Sequence, residues 1–271
     1  MRLGALEKRN RVWEGAVFYG RLADPYSTTA VESESLSAKL QSFLNGHRVA
    51  KDAIVMDAGC ADGRVTHFLL DAGMRRIVST DLDQESVNRL VASLNAEEQE
   101  KVLAIVDDFN TLPIASESID LLVASALLAE MPDFGRAVQS AIRMLKVGGL
   151  LFYFDPILEH ALVYALVRND LDEFLRVART SMRATMWDQR ERRYRVHAAH
   201  QLEKQLLEHP ELEILERDGI SMLPSLVFGG VLQDQYASAD RKQRLKDAII
   251  ALMTENLQIY RQVIYICRRR A

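Results

Sequence analysis

Long apolar runs are missing from this 271-residue chain. None reaches the ~18–20 residues that a membrane-spanning helix needs, so no membrane role is expected. Cysteine is scarce: Cys60 and Cys267 are the only two. Thiols that far apart make neither a redox or metal motif nor a disulfide framework, which is the usage of a reducing compartment, and no bound metal is expected. An excess of one charge is lacking as well. Lys and Arg number 34 against 38 Asp and Glu, a net charge of -4, which gives no global attraction to nucleic acid or anionic membranes. The first residues, MRLGALEKRNRVWEG, are charged and have no apolar core, so they do not read as a secretory signal. The expected location is the cytoplasm. No internal repeat, low-complexity tract or linker-like break in composition is visible.

What is present is an ordinary globular balance, 48% hydrophobic and 27% charged. The patterning sorts into short apolar strands separated by helices. Residues 1–50 look helical, with Leu36, Leu40, Phe43 and Leu44 at helical spacing. Strands are predicted at 53–57, 76–81, 102–108, 118–125 and 150–155, with helices over roughly 63–72, 84–95 and 134–146. This alternation predicts an α/β fold, a doubly wound and mostly parallel sheet covered on both faces. It breaks at 156–200, which carries two helical patterns and a charged strand candidate, RYRVH. It resumes with LEILERD, a helix over roughly 239–258, and RQVIYICRR. A single domain over 1–271 is expected: a helical cover (1–50), a core (51–155), an insertion forming a lid (156–205), and the final strands and helix (206–271).

The stretch IVMDAGCADGRVTHFLL, residues 54–70, reads as a buried strand, a tight loop and a helix start. Such junctions hold ligands. A P-loop requires Lys and Ser or Thr after its last glycine, but Gly63 is followed by Arg64 and Val65. A dinucleotide site requires G-x-G-x-x-G, but the glycines are Gly59 and Gly63. Asp57 would also repel a pyrophosphate, whereas it suits a cationic ligand. S-adenosylmethionine has no phosphate and carries an ammonium and a sulfonium.

Here the chain resembles the class I, Rossmann-like methyltransferases, and within them the type 11 and small-molecule enzymes. Asp57, Gly59, Ala61 and Gly63 match [DE]-x-G-x-G-x-G, with Ala61 in place of the middle glycine. VSTDLD, then VDDFNTLPIASESIDLLVAS, then ALLAEMPDFGRAVQSAIRMLKVGGLLFYFD match the family's next motifs in order, with Val147 where the family has proline. The resemblance implies a seven-stranded sheet and S-adenosylmethionine as cofactor, with S-adenosylhomocysteine as product. It implies cofactor contacts from Asp57, Gly59, Cys60, Ala61 and Gly63 in the loop. Asp81 would accept from the ribose hydroxyls, and Leu82 would lie on the adenine. Asp108 would accept from the adenine amino group, or Asp107 by a one-residue shift, with Phe109 beside the ring. Ser125 and one of Tyr19 and Tyr26 complete the cofactor set.

Two residues are candidates at the acceptor. Glu130 stands where many relatives carry a histidine, and His160 follows the strand nearest the methyl. Either could act as a base, though an activated methyl does not oblige one. Trp187 and Arg183 in the insertion are candidates for substrate contact. Arg183 belongs to a basic cluster with Arg179, Arg190, Arg192, Arg193 and Arg195 that reads equally as a solvated face. Asp83 reads as a helix N-cap and Asp120 as structural. The expected activity is methyl transfer to an O, N or C atom of a small molecule, by a monomer or homodimer. The alternatives are a catalytically silent S-adenosylmethionine-binding partner or sensor, and methylation of nucleic acid or protein. No N/D-P-P-Y-like motif follows the fourth strand, so no nucleic-acid partner is expected; the glycine spacing and Asp57 disfavour an NAD enzyme.

Overall fold

The computed structural model describes residues 28–128, 131–159, 161–162, 171–187, 190–221 and 260–271. It begins with α1 (Thr28–Gly46), whose Leu36, Leu40, Phe43 and Leu44 are all buried, the stripe that their spacing predicts. Phe43 packs its ring 5.1 Å from that of Phe152. There follow β1 (Ile54–Ala58), α2 (Arg64–Asp71), β2 (Arg76–Asp81) and α3 (Gln84–Ser93). Asp83 caps α3, its carboxylate accepting from the Ser86 backbone N–H at 3.1 Å, as its position before the helical run predicts. A short helix, α4 (Ala96–Lys101), then precedes β3 (Val102–Val106). The sequence reading had no helix there. Asn95 and Glu98 cap each other's backbone at its start, and this reciprocal pair stabilises a turn too short for periodicity to reveal.

The chain continues with β4 (Ile119–Ser125), α5 (Phe134–Met144) and β5 (Leu145–Pro156). The insertion carries α6 (Leu171–Thr180) and a two-stranded sheet, β6 (Met182–Trp187) with β7 (Arg190–Arg195). The hairpin pairs antiparallel from Met182↔Arg195 to Trp187↔Arg190. The insertion is thus helix plus hairpin: the charged strand candidate RYRVH overlaps β7, and its partner β6 is the strand that was not expected. MRATMW has no strong period of either kind, and pairing with its neighbour decides its state. Last come α7 (Ala199–Leu207), β8 (Leu212–Ser221) and β9 (Tyr260–Arg269). The helix expected over 239–258 lies outside the described residues.

The seven-stranded sheet has the order β3-β2-β1-β4-β5-β9-β8. The first five strands are parallel, and β9 runs antiparallel to both β5 and β8. Each face carries its own core. On one, α1, α2 and α3 cover Val55, Ile77, Val123 and Phe154. On the other, α5 and α7 cover Met56, Leu122, Tyr153 and Tyr265. Strands buried on both faces need near-continuous apolar runs, and β1, β4 and β5 have them. Asp120 is structural, as expected. It accepts from the Ile54 backbone N–H at 2.8 Å and from Lys146 at 2.7 Å, tying β1 and β5 to β4.

This order reverses between β1 and β4. From β1 the chain winds outward through β2 and β3, then crosses back to β4 and β5. The two crossovers leave on opposite sides, so the carboxyl ends of β1 and β4 flank a crevice, the place where open α/β sheets take ligands. Among the described residues no helix is long and apolar enough to cross a membrane.

Candidate functional site

The loop after β1 is bound to the end of β2. The Gly59 and Cys60 N–H groups both donate to the Thr80 carbonyl, at 2.8 and 2.9 Å. The loop turns through left-handed conformations at Gly59 (φ 71°), Ala61 (φ 47°) and Gly63 (φ 95°). A Cβ on Gly63 would stand 2.3 Å from Leu90 Cδ1. One on Gly59 would meet Leu127 Cβ and Cδ1 at 3.2 Å. The glycines therefore let the loop lie directly on its neighbours. Ala61 departs from the family pattern at a strained position, because an L-residue there costs roughly 1–2 kcal/mol. Ala61→Gly is expected to raise stability by about 0.5–1 kcal/mol after the added chain entropy of glycine is subtracted. Urea denaturation checks this, and a loss of stability would contradict it.

Beneath the loop, Asp57 is fully buried. Its Oδ2 accepts from the Thr66 hydroxyl at 2.6 Å, and Thr66 shares a second hydrogen bond with the Ser79 hydroxyl at 2.7 Å. Its Oδ1 is buried without a hydrogen-bond partner. Burial raises its pKa from 3.8 to about 6, opposed by the Thr66 hydrogen bonds and the Arg64 charge. The folded state therefore holds this proton more tightly than the unfolded chain. The associated stability is present below pH 3.8 and is lost as pH rises to about 6. Asp57→Asn keeps an acceptor for Thr66 and removes the charge. Denaturation between pH 4.5 and 7 should show a flatter pH profile in this variant than in the wild type. Identical profiles would disprove the assignment.

At the end of β2, the two Asp81 oxygens accept from the backbone N–H groups of Ala61 and Asp83, each at 2.9 Å. One carboxylate thus fixes the glycine loop and the start of α3 together. Leu82 beside it is 75% exposed, a large apolar side chain left open at the lip of the crevice. At the end of β3, Asp107 caps the Asp108 N–H at 2.7 Å, and the exposed Asp108 caps Asn110 at 2.9 Å. Phe109 is buried in the core on the α5 face. Cys60 is buried, and its thiol pKa is pushed up first by burial and then by Asp57 and Asp81, so it is no nucleophile. Ser125, the last residue of β4, accepts from Arg64 Nη2 at 3.4 Å.

The structure thus brings Asp57, the 59–63 loop, Asp81, Leu82, Asp107, Asp108, Phe109 and Ser125 to the carboxyl ends of neighbouring parallel strands. Tyr19, Tyr26, Glu130 and His160 lie outside the described residues. Arg183 and Trp187 fall on β6, whose side chains are likewise outside them. The sequence reading missed Thr66, Ser79 and Arg64. The first two hide as ordinary polar positions in an apolar helix and strand; Arg64 was read only as the residue that breaks a P-loop. A cleft of about 680 Å³ opens at the opposite, amino end of β1–β3, lined by Arg75, Arg76, Gln99, Lys101 and Leu103 among others. It gathers none of the candidate site residues.

Residues 56–153 match the methyltransferase domain family. The chain is 27% identical over 138 residues to a malonyl-[acyl-carrier protein] O-methyltransferase of Pseudescherichia vulneris, covering 51% of each chain. The chain spans about half the length of the curated relatives of this kind that it matches. An S-adenosylmethionine-dependent methyltransferase from Methanosarcina mazei shares the fold at a TM-score of 0.59 and 14% identity, over 84% of this chain and 97% of that one. The [4+2]-cyclase SpnF shares it at a TM-score of 0.55 and 18% identity, over 86% and 80%.

Proposed function

With residues 56–153 forming a methyltransferase domain on a class I methyltransferase sheet, we propose that the protein transfers a methyl group from S-adenosylmethionine to an O, N or C atom of a small molecule. The observation that carries this reading is the pairing of Asp81 with exposed Leu82 across from the glycine loop. A carboxylate has about four acceptor sites, so Asp81 can hold the loop and still accept from a ribose. Leu82 offers an apolar face of the size a purine covers. The orphaned Asp57 Oδ1 beneath the loop supplies negative potential where a cationic group would rest. Asp108 or Asp107 accepts from the adenine amino group, with Phe109 behind. These residues fit the cofactor, which supplies an already activated methyl group.

The chain's task is then positional. It fixes the methyl donor by its sugar and base and leaves the acceptor side to other elements. Orienting two reactants in this way can lower a barrier by ~7–11 kcal/mol. The cover over 1–50 and the insertion over 156–205 form the acceptor pocket, with Tyr19 or Tyr26 on the cofactor side. Glu130, His160, Arg183 and Trp187 are the candidate acceptor contacts. Three curated relatives are named malonyl-[acyl-carrier protein] O-methyltransferases, which supports an oxygen of an acyl group as the acceptor. The protein works in the cytoplasm as a monomer or homodimer, with neither a nucleic-acid nor a membrane partner.

Calorimetry with S-adenosylhomocysteine, and NAD as control, tests this reading. Micromolar affinity, about -8 kcal/mol, is expected for the first and no heat for the second. NAD binding alone would overturn it. A second reading has its own observation: a protein of this fold is named a [4+2]-cyclase, and a fold does not by itself fix the reaction. A protein that binds S-adenosylhomocysteine tightly but methylates no small carboxylic acid, amine or phenol in a labelled-methyl assay would favour a silent binding role.

A further inference from the structure

We propose that the cleft at the amino ends of β1–β3 is a second binding site, for an amphipathic anion with an apolar chain and a carboxylate or phosphate head. The cleft exists because one crossover brings no helix. Residues 107–118 run from β3 to β4 as turns and irregular chain. The amino-end corner of β2 and β3 is therefore buried on one face only. On the α2–α3 face Ile77 and Val102 are buried. On the other face Ile54 and Val78 are only partly covered, and Leu103 is 43% exposed. Val78 lies beside Leu103 in the ladder, and Arg76 beside Ile54, so these residues share one floor. Parallel strands are ordinarily covered on both faces, and an open apolar floor here is a surface for an occupant. The volume of about 680 Å³ suits a small molecule, whose sites span roughly 300–1,000 Å³.

The charges around the floor choose the sign of the head. Arg75, Arg76 and Lys101 line the cleft, against Glu100 as its one lining acid. Lys101 is already paired with Glu97 at 2.7 Å. Asp120, next to Ile54 on β4, is held by Lys146 and the Ile54 N–H. Lys51 and Asp52, just before β1, add one charge of each sign. Arg75 and Arg76 have no ion pair among the described residues. Two guanidinium groups thus remain at the amino end of the floor, where β2 begins. A chain lying over Val78 and Leu103 brings its head to them. Guanidinium forks match a carboxylate or a phosphate, and a cationic head is repelled. The cleft is at the far end of β1 and β2 from Asp57 and Asp81, so it is separate from the crevice.

Calorimetry with decanoate and decyl phosphate, each below its micelle concentration, tests this. At least one of them is expected to bind, one molecule per chain, with a Kd below about 1 mM. Acetate has a head without the chain, and decyltrimethylammonium has the chain with the opposite charge. Both should bind at least about tenfold more weakly. Arg76→Gln is expected to weaken the anion about 2–5-fold, the range of an exposed charge pair. Leu103→Asp breaks the floor and adds a repelling charge, and should weaken it by more than about tenfold. Both residues are exposed, and unchanged melting temperatures show that the variants fold. Equal binding by the wild type and both variants, equal binding of the cationic chain, or no binding at all would overturn the proposal. So would attachment to vesicles of anionic phospholipid without affinity for the monomeric anions, which would make this face a membrane contact.

Discussion

Gly63→Ala is expected to destabilise the protein by about 2–5 kcal/mol and to abolish measurable S-adenosylhomocysteine binding. Two costs add. The backbone at this position has φ 95°, where any L-residue is strained by roughly 1–2 kcal/mol. The new Cβ would lie 2.3 Å from Leu90 Cδ1, far inside contact distance. Leu90 is fully buried in the core on the α3 face, so its methyl cannot swing into solvent. Forcing an extra carbon into such packing costs typically 1–3 kcal/mol. The melting temperature should fall by roughly 5–15 °C for a chain of this size. A change within 0.5 kcal/mol would mean that α3 moves freely relative to the loop, and that the loop is less fixed than its hydrogen bonds to Thr80 imply.

Asp81→Asn is the second large effect, and it separates binding from folding. The amide keeps one oxygen but puts an NH2 where the other oxygen stood. One of the two backbone donors, Ala61 N–H or Asp83 N–H, then faces another donor. That costs about 1–3 kcal/mol of stability. Ligand affinity should suffer more. The charge that would accept from both ribose hydroxyls is gone, and each such bond is worth about 1.5–3 kcal/mol. A loss of at least about 100-fold for S-adenosylhomocysteine is expected, read by calorimetry on protein first shown to be folded. Methylthioadenosine should lose as much, because it carries the same sugar. Unchanged affinity would move the ribose site away from β2 and remove the main support for the proposed function.

The parallel half of the sheet was legible because its strands are short, mostly apolar runs separated by helical patterns, and each ends near a polar residue that the fold uses. Asp57, Asp81 and Asp83 could be read as strand-end and cap positions before any coordinates. The short α4 could not, because six residues give no period and only its capping pair betrays it. Of the insertion's hairpin, RYRVH marked β7, but β6 escaped for a different reason: a strand of a two-stranded ribbon depends on its partner strand, not on its own pattern. At the site, the glycine loop announced itself by spacing, but the buried Asp57–Thr66–Ser79 chain did not. Nothing in a sequence says which hydroxyls of neighbouring elements will meet beneath a loop. Arg64 was visible only as a negative, and its reach across to Ser125 depends on the helix start that Gly63 sets.

The position of β9 bears on how the protein is made. Residues 260–269 lie between β5 and β8, although β8 is finished by residue 221. A ribosome that has delivered β8 has therefore produced a sheet with its middle missing. Until synthesis reaches residue 269, the long edge of β5, with buried Phe152, Tyr153 and Phe154 along it, has no neighbour. Nor does β8, which packs against the helices α1 and α7 by then, have a strand of the sheet to pair with among the described residues. Exposed edges of this kind recruit other chains. The nascent protein should need chaperone shielding over this interval, and a stalled product ending between the two strands should aggregate while the longer chain stays in solution.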